Sequence, residues 1–496
     1  MPPSTFPGVK IGLGLGLLGY AVLLCVLIGA VPSGSDNSGY FNEARLFAQG
    51  RIHAPQRTLP GLRADKTPPY LYIPLGFKPT EDGTATMVPT YPPGLPLLLV
   101  PAALVAGWDH AGDMVLLLHS LAGIALVFAL GRICGLPGSW ALVGAAVLAA
   151  SPLYLFLSLQ ALSDVPATVW ATGAVIAAMK SREGSRWALV SGACISIGFL
   201  LRPTNFLIAV PVALAAGASP RCLLFIALGS LPGIAAWMGI NHVAYGNVLE
   251  SGYGAIGNEF HAGLVPGTLG YCARWLPRLL SPIVIIAPLI LAFYRSWPRV
   301  TAVLASWAAV YIAFYAPYRW THQQWWFLRF LLPAAPALIV AGLLVTHRLL
   351  EKAKGRCPEY VRLALPALVL FFTVGVELRQ TAPLREARAL GDGERKYGTV
   401  SRWLEAHVPA NSAIAVFQAS GALYYFTDFT LLRLDQMAPP VFDRVRVCVT
   451  TEGRPLYAVL FPFDVGALDK LPGRWVHVAS VDDVGIWRCE WITPAG

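Results

Sequence analysis

A chain of 496 residues that is 56% hydrophobic and only 13% charged is too apolar, and too regularly interrupted by turn residues, to fold as one soluble core. Its net charge of +10 comes from basic residues scattered among short loops, with no basic stripe interleaved with aromatics, which argues against a nucleic-acid partner. The composition is that of a polytopic membrane protein.

The first apolar run, Ile11–Val31, has only Lys10 before it and no clear small-residue cleavage site, so it reads as a retained helix rather than a removed signal. Pro32 and Gly34 end it, which leaves Asp36 at the edge of the bilayer. Beyond it, Tyr40, Ala44, Phe47 and Ala48 follow helical spacing while Asn42, Glu43, Arg45 and Gln49 face elsewhere, and Gly50 supplies a stop. The pattern predicts a short helix lying in the interface, with Asp36 either its cap or a functional carboxylate.

The next apolar run, Gly94–Gly107, is short for a span and contains Pro96 and Pro101, so a re-entrant or interfacial segment is expected. Further runs at Met114–Gly131, Trp140–Leu157, Val165–Met179, Ala188–Leu201, Phe206–Ala216, Cys222–Ile240, Leu279–Phe293, Val300–Ala316, Phe330–Val345 and Leu363–Val376 bring the expected spans to about eleven. If Gly94–Gly107 does not cross, Lys10, Arg132, Lys180, Arg182, Arg186, Arg221, Arg295, Arg299, Arg348, Lys352, Lys354, Arg356 and Arg362 collect on one side, which is then the cytoplasm. Asp36 and Asp164 fall together on the opposite, outer side.

From about Arg379 the character changes to charged residues and strand-like pieces at Ala413–Phe417, Leu456–Phe461 and Trp475–Ala479, with a helix at Ser401–His407, a turn at Pro409–Ser412 and another helical start at Ser420. This is the pattern of a small α/β domain outside the membrane. Of the eight cysteines, only Cys448 and Cys489 fall in this polar part, and an oxidising compartment would let them pair.

Several residues are placed where chemistry could use them. Asp164 precedes Pro166 in an outer turn, as a helix cap or as a ligand-binding carboxylate. Arg202 and Arg329 stand at predicted outer helix ends, against the usual charge bias, as phosphate grips or as side chains that snorkel to lipid headgroups. His322 lies among Tyr318, Trp320, Trp325, Trp326 and Phe327, where it could orient a substrate or serve structure alone. The chain has no His-Glu-x-x-His, no cysteine pair at metal spacing, no P-loop and no Gly-x-Ser-x-Gly elbow, so no metal or cofactor is expected.

Taken together, Ser35-Asp36 with Tyr40-Phe41, Tyr91-Pro92-Pro93-Gly94-Leu95-Pro96, Ser163-Asp164-Val165-Pro166, Leu201-Arg202-Pro203-Thr204 and Arg329-Phe330-Leu331-Leu332-Pro333 resemble the GT-C superfamily of membrane glycosyltransferases. Within it, the chain resembles the group of the protein mannosyltransferases and the aminoarabinose lipid A transferases. The resemblance implies an all-α polytopic membrane domain over 1–378, with juxtamembrane helices in an outer loop over 32–113, and an extracytoplasmic α/β domain over 379–496. It also implies transfer of a sugar from a polyprenyl-phosphate carrier to a lipid, glycan or protein acceptor on the outer face, usually with inversion.

On this resemblance Asp36 is the candidate base, Arg202, Arg329 or Lys66 offset the charge growing on the lipid phosphate, and Asp164, Tyr91 and His322 contribute to substrate binding. The expected location is a bacterial inner membrane, with membrane lipids around the helices. Thr90-Tyr91 stand where the aminoarabinose transferases have a Glu-Lys pair, a departure that bears on the acceptor. The alternative is a transporter or lipid flippase, which also uses intramembrane charges and broken helices.

Overall fold

The computed structural model describes residues 7–81, 83–217, 219–254, 256–293, 296–352, 359–379 and 381–491, arranged as two compact units. One unit comprises Met1–Ile28, Asp113–Trp237 and Ala255–Leu390; the other comprises Gly29–Gly112, Met238–Gly254 and Gly391–Gly496.

The first unit is helical. Among the described residues of the chain, five helices are long and apolar enough to cross a membrane, or up to eight if each bent pair counts as one span, which makes this an integral membrane protein. The eleven spans expected from the sequence are not all recovered as single straight helices. The run expected at Trp140–Leu157 breaks into Gly138–Ala150 and Pro152–Ser158 with a bend of 61°. Pro152 has no N–H to continue the ladder, and Ser151 caps the second piece by accepting a hydrogen bond from the Tyr154 amide at 3.2 Å. A second break, of 115°, separates Ala262–Leu279 from the apolar piece Pro282–Phe293.

Where helices in this unit approach closely, small residues make it possible, as expected where packing rather than water drives association. A Cβ on Gly192 would lie 2.2 Å from the Ile226 carbonyl oxygen, and one on Gly233 would lie 2.3 Å from that of Ser196. The helices Ser185–Leu201 and Pro220–Tyr245 therefore meet backbone to backbone.

The second unit contains two sheets. Strands β1 (Ala54–Pro55), β2 (Phe77–Pro79) and β3 (Thr86–Pro89) form a small antiparallel sheet in the order β1-β3-β2. Strands β4 (Ala413–Val416), β5 (Thr430–Arg433), β6 (Leu456–Leu460), β7 (Arg474–Val481) and β8 (Val484–Glu490) form a mixed sheet in the order β5-β4-β6-β8-β7. β4 runs parallel to both its neighbours, whereas β8 is antiparallel to β6 and β7.

Both central strands are apolar at every position because both faces of the sheet are covered. Ala413 and Ala415 face a core shared with Val441, Phe442 and Val445 of the helix Pro439–Thr451, and with Leu59, Leu62, Leu71 and Tyr72 from the first long loop. Ile414 and Val416 face the other core, with Val400 and Leu404 of the helix Thr381–His407 and Leu423 of the helix Ser420–Phe426. The strands and helices expected from the sequence in this region are present. Cys448 and Cys489 lie in one core but are free thiols, so the pairing the sequence allowed is not made. The Cys448 thiol points instead to the Glu452 carboxylate, at 3.3 Å.

Candidate active site

In the second unit the helix Ser35–Ala48 begins at Gly34, whose φ of 24° favours a residue without a Cβ. Gly34 is the N-cap, so Asp36 is not; it stands in the first turn, where a carboxylate also suits the helix dipole. Asp36 is half-buried, and its Oδ1 accepts a hydrogen bond from the Tyr91 hydroxyl at 2.8 Å. Tyr91 is brought there by close packing. A Cβ on Gly39 would lie 2.3 Å from the Tyr91 ring, and one on Gly76 would lie 2.7 Å from the Gly39 Cα. Tyr40 flanks the Tyr91 ring with centroids 4.9 Å apart, and burial holds the Tyr91 phenol well above the usual range, so it remains a donor. The helix Gly94–Ala106, opened by Tyr91-Pro92-Pro93, packs against Ser35–Ala48.

The exposure expected for the polar side of this helix is corrected by its surroundings. Asn42 and Glu43, predicted to face away from the packed side, are buried, whereas Ala48 on the expected apolar side is exposed. The polar residues are covered because the C-terminal region lies along the helix. Asn42 donates to the Gly421 carbonyl at 2.9 Å, and Arg45 donates to the Tyr425 carbonyl at 2.8 Å with its guanidinium 3.6 Å from the centre of that ring. Glu43 is fully covered, and burial drives its carboxyl well above the carboxylate range. Sequence reading passed over Glu43, although it follows Asp36 by two helical turns on one face. Lys66 is exposed, with its carbonyl accepting from Arg444.

In the first unit Asp164 opens the helix Asp164–Lys180, is 2% exposed and pairs with Arg202. The segment carrying Arg202 is pinned at successive residues. Thr204 accepts from the Tyr315 hydroxyl at 2.8 Å, while Asn205 accepts from the Tyr311 hydroxyl at 3.0 Å and donates to the Ala167 carbonyl at 3.0 Å. Arg329 lies in the tight helix Trp325–Ala334, whose three-residue turn aligns i and i+3 side chains, so that Phe327 and Phe330 stack at 6.0 Å. Both guanidinium groups, of Arg202 and Arg329, stand 5.4 Å from the centre of the Phe330 ring. His322 is set apart from them by its own contact, Nδ1 to the Thr268 hydroxyl at 3.2 Å. A cavity of about 700 Å³ in this unit is lined by Gly12, Gly16, Ala145, Ala149, Phe371 and neighbouring apolar residues. Among the described residues no group of three or more His, Cys, Asp or Glu side chains could hold a metal ion.

The structure brings Asp36 together with Tyr91 in one unit and Asp164 together with Arg202 in the other, residues the sequence singled out one by one and did not pair. The fold that carries both pairs is shared with solved structures of ArnT and of an archaeal oligosaccharyltransferase. ArnT from Cupriavidus metallidurans bound to undecaprenyl phosphate superposes with a TM-score of 0.60 at 13% identity, covering 97% of each chain. Its apo state gives 0.62, with 97% of this chain and 98% of that one covered. The archaeal oligosaccharyltransferase AglB from Archaeoglobus fulgidus, in complex with an inhibitory peptide and a dolichol-phosphate, gives 0.51 at 13% identity over 91% of this chain and 69% of that one. No protein-family profile and no curated protein sequence matches the chain.

Proposed function

We propose that this protein is an inverting glycosyltransferase that moves a sugar from a polyprenyl-phosphate carrier to an acceptor at the outer membrane face, with Asp36 as the general base. The observation that carries the reading is the contrast between the two aspartates. Asp164 is buried against a guanidinium, which suits holding a ligand. Asp36 is half-exposed, is not spent as a helix cap, and takes a hydroxyl donor on one oxygen, which suits a carboxylate that accepts a proton from an attacking hydroxyl.

Departure of the carrier leaves negative charge on a lipid phosphate, for which Arg202 and Arg329 supply fixed cations. Five N–H donors let Arg202 keep Asp164 and still reach a phosphate oxygen. Tyr91 orients Asp36, Asp164 keeps Arg202 in place, and His322 and Lys66 are peripheral binding groups. The small-residue cavity lined by Gly12, Gly16 and Ala145 has the chemistry to take isoprenoid chain.

The test is turnover by the purified full-length protein in lipid nanodiscs, with labelled undecaprenyl-phosphate sugars and mass spectrometry of the acceptors modified. Asp36→Asn keeps size and shape but cannot accept the proton, so transfer should fall by about 10²–10⁴ while carrier affinity is retained. Near wild-type turnover in that variant would remove Asp36 from the chemistry.

A further inference from the structure

The turn that carries Asp36 is held by two side chains from the helix Thr381–His407. The Glu394 Oε2 atom accepts hydrogen bonds from the Ser33 hydroxyl and, at 2.9 Å, from the Asn37 amide, and Asn37 also donates to the Ser33 hydroxyl at 2.7 Å. One turn further along, the Tyr397 phenol oxygen accepts a hydrogen bond from the Gly34 backbone amide. The backbones approach so closely that a Cβ on Gly29 would lie 2.7 Å from the Gly391 Cα. Residues on both sides of Asp36 are therefore fixed by one helix that begins more than 340 residues later in the chain.

We propose that Glu394 is a positioning residue for Asp36: its carboxyl locks Ser33 and Asn37, and so sets where the Asp36 carboxylate stands. This rests on Asp36 as the base of the proposed reaction. Two donors converging on one oxygen need only a carbonyl-type acceptor, which the neutral acid also provides. Burial pushes the Glu394 carboxyl up to about 8, against the opposing hydrogen bond from Asn37. Tyr397 lies beside it with Asp464 beyond, while Lys396 pairs with Asp483 and Arg395 reaches Asp392.

A carboxyl whose folded pKa is raised favours folding fully below its unfolded value, near 4.5, and that contribution is lost as pH rises through about 8. Glutamine reproduces the neutral acid. Glu394→Gln should therefore keep the lock and remove this alkaline loss.

The test uses the full chain in nanodiscs and two readouts. In Glu394→Ala, backbone amides over 35–39 should exchange with solvent at least about tenfold faster, with no change in strands β4 and β6, whereas Glu394→Gln should exchange like the wild type. If the alanine variant does not accumulate, Glu394→Asp, one methylene shorter, takes its place. In turnover with an undecaprenyl-phosphate sugar, Glu394→Ala should lower kcat about tenfold or more with KM for the carrier within about twofold, and Glu394→Gln should restore kcat. Unchanged exchange over 35–39 in Glu394→Ala, or unchanged kcat despite faster exchange, would overturn the positioning role. Faster exchange in a protein whose wild type transfers no sugar would overturn the glycosyltransferase reading, and with it the catalytic meaning of the lock, while leaving the lock itself in place.

Discussion

Asp164 and Arg202 make opposite demands on an alanine test, because one substitution would remove both the proposed carrier contact and the partner of a buried charge. Arg202→Ala should weaken carrier binding about ten- to a hundredfold through loss of a charge-assisted hydrogen bond. It should also destabilise the protein by about 3–5 kcal/mol, because Asp164 would be left buried without its guanidinium. The double substitution with Asp164→Ala separates the two: melting should recover most of the loss, while carrier affinity, measured by direct titration, should not. Recovery of both would make Arg202 a partner of Asp164 alone.

A second residue-scale test needs no charge. Gly39→Ala forces a Cβ to within 2.3 Å of the Tyr91 ring, with the Gly76 backbone 3.2 Å away on the other side. The ring must move, and the 2.8 Å hydrogen bond to Asp36 moves with it. A cost of about 1–3 kcal/mol in stability is expected, together with a fall in kcat that Tyr91→Phe should reproduce at much smaller cost in stability. A Gly39→Ala protein that melts and turns over like the wild type would show that this packing does not set Tyr91.

At the scale of elements, what the sequence made legible was local, and what it concealed was contact across the chain. Apolar and helical patterns located strands β4 and β6 and the helix Ser420–Phe426 because each element's own apolar residues fill a core. The helix Ser35–Ala48 was legible in extent but not in environment, since Asn42 and Glu43 look solvated until Gly421 and its neighbours cover them. Glu394 carried no signal at all: it is a charged residue on a charged helix, and its significance comes from Ser33 and Asn37, more than 350 residues earlier. Asp164 with Arg202 lies between these cases. Each side chain marked itself by standing at a helix end, but their pairing depends on Tyr311 and Tyr315 pinning Asn205 and Thr204.

At the scale of the whole molecule, the first long loop and the C-terminal region belong to one compact unit, since Leu59, Leu62, Leu71 and Tyr72 share a core with β4, β6 and the helix Pro439–Thr451. Two segments that fold around one sheet must lie on the same side of a membrane. The helix Gly94–Ala106 between the loop and the rest has 13 residues. At 1.5 Å per residue that is about 20 Å, well short of the roughly 30 Å hydrocarbon core. If Gly94–Ala106 does not cross, the basic turn around Lys180–Arg186 falls on the opposite side, which the positive-inside bias predicts to be the cytoplasm. Alkaline phosphatase fused after Phe426 or inserted near Arg63 should therefore be active, and fused near Glu183 inactive, with a fluorescent reporter giving the reverse pattern. Opposite results at Arg63 and Phe426 would mean that the shared core does not form in the membrane, and the Glu394 lock on the Asp36 turn would fall with it.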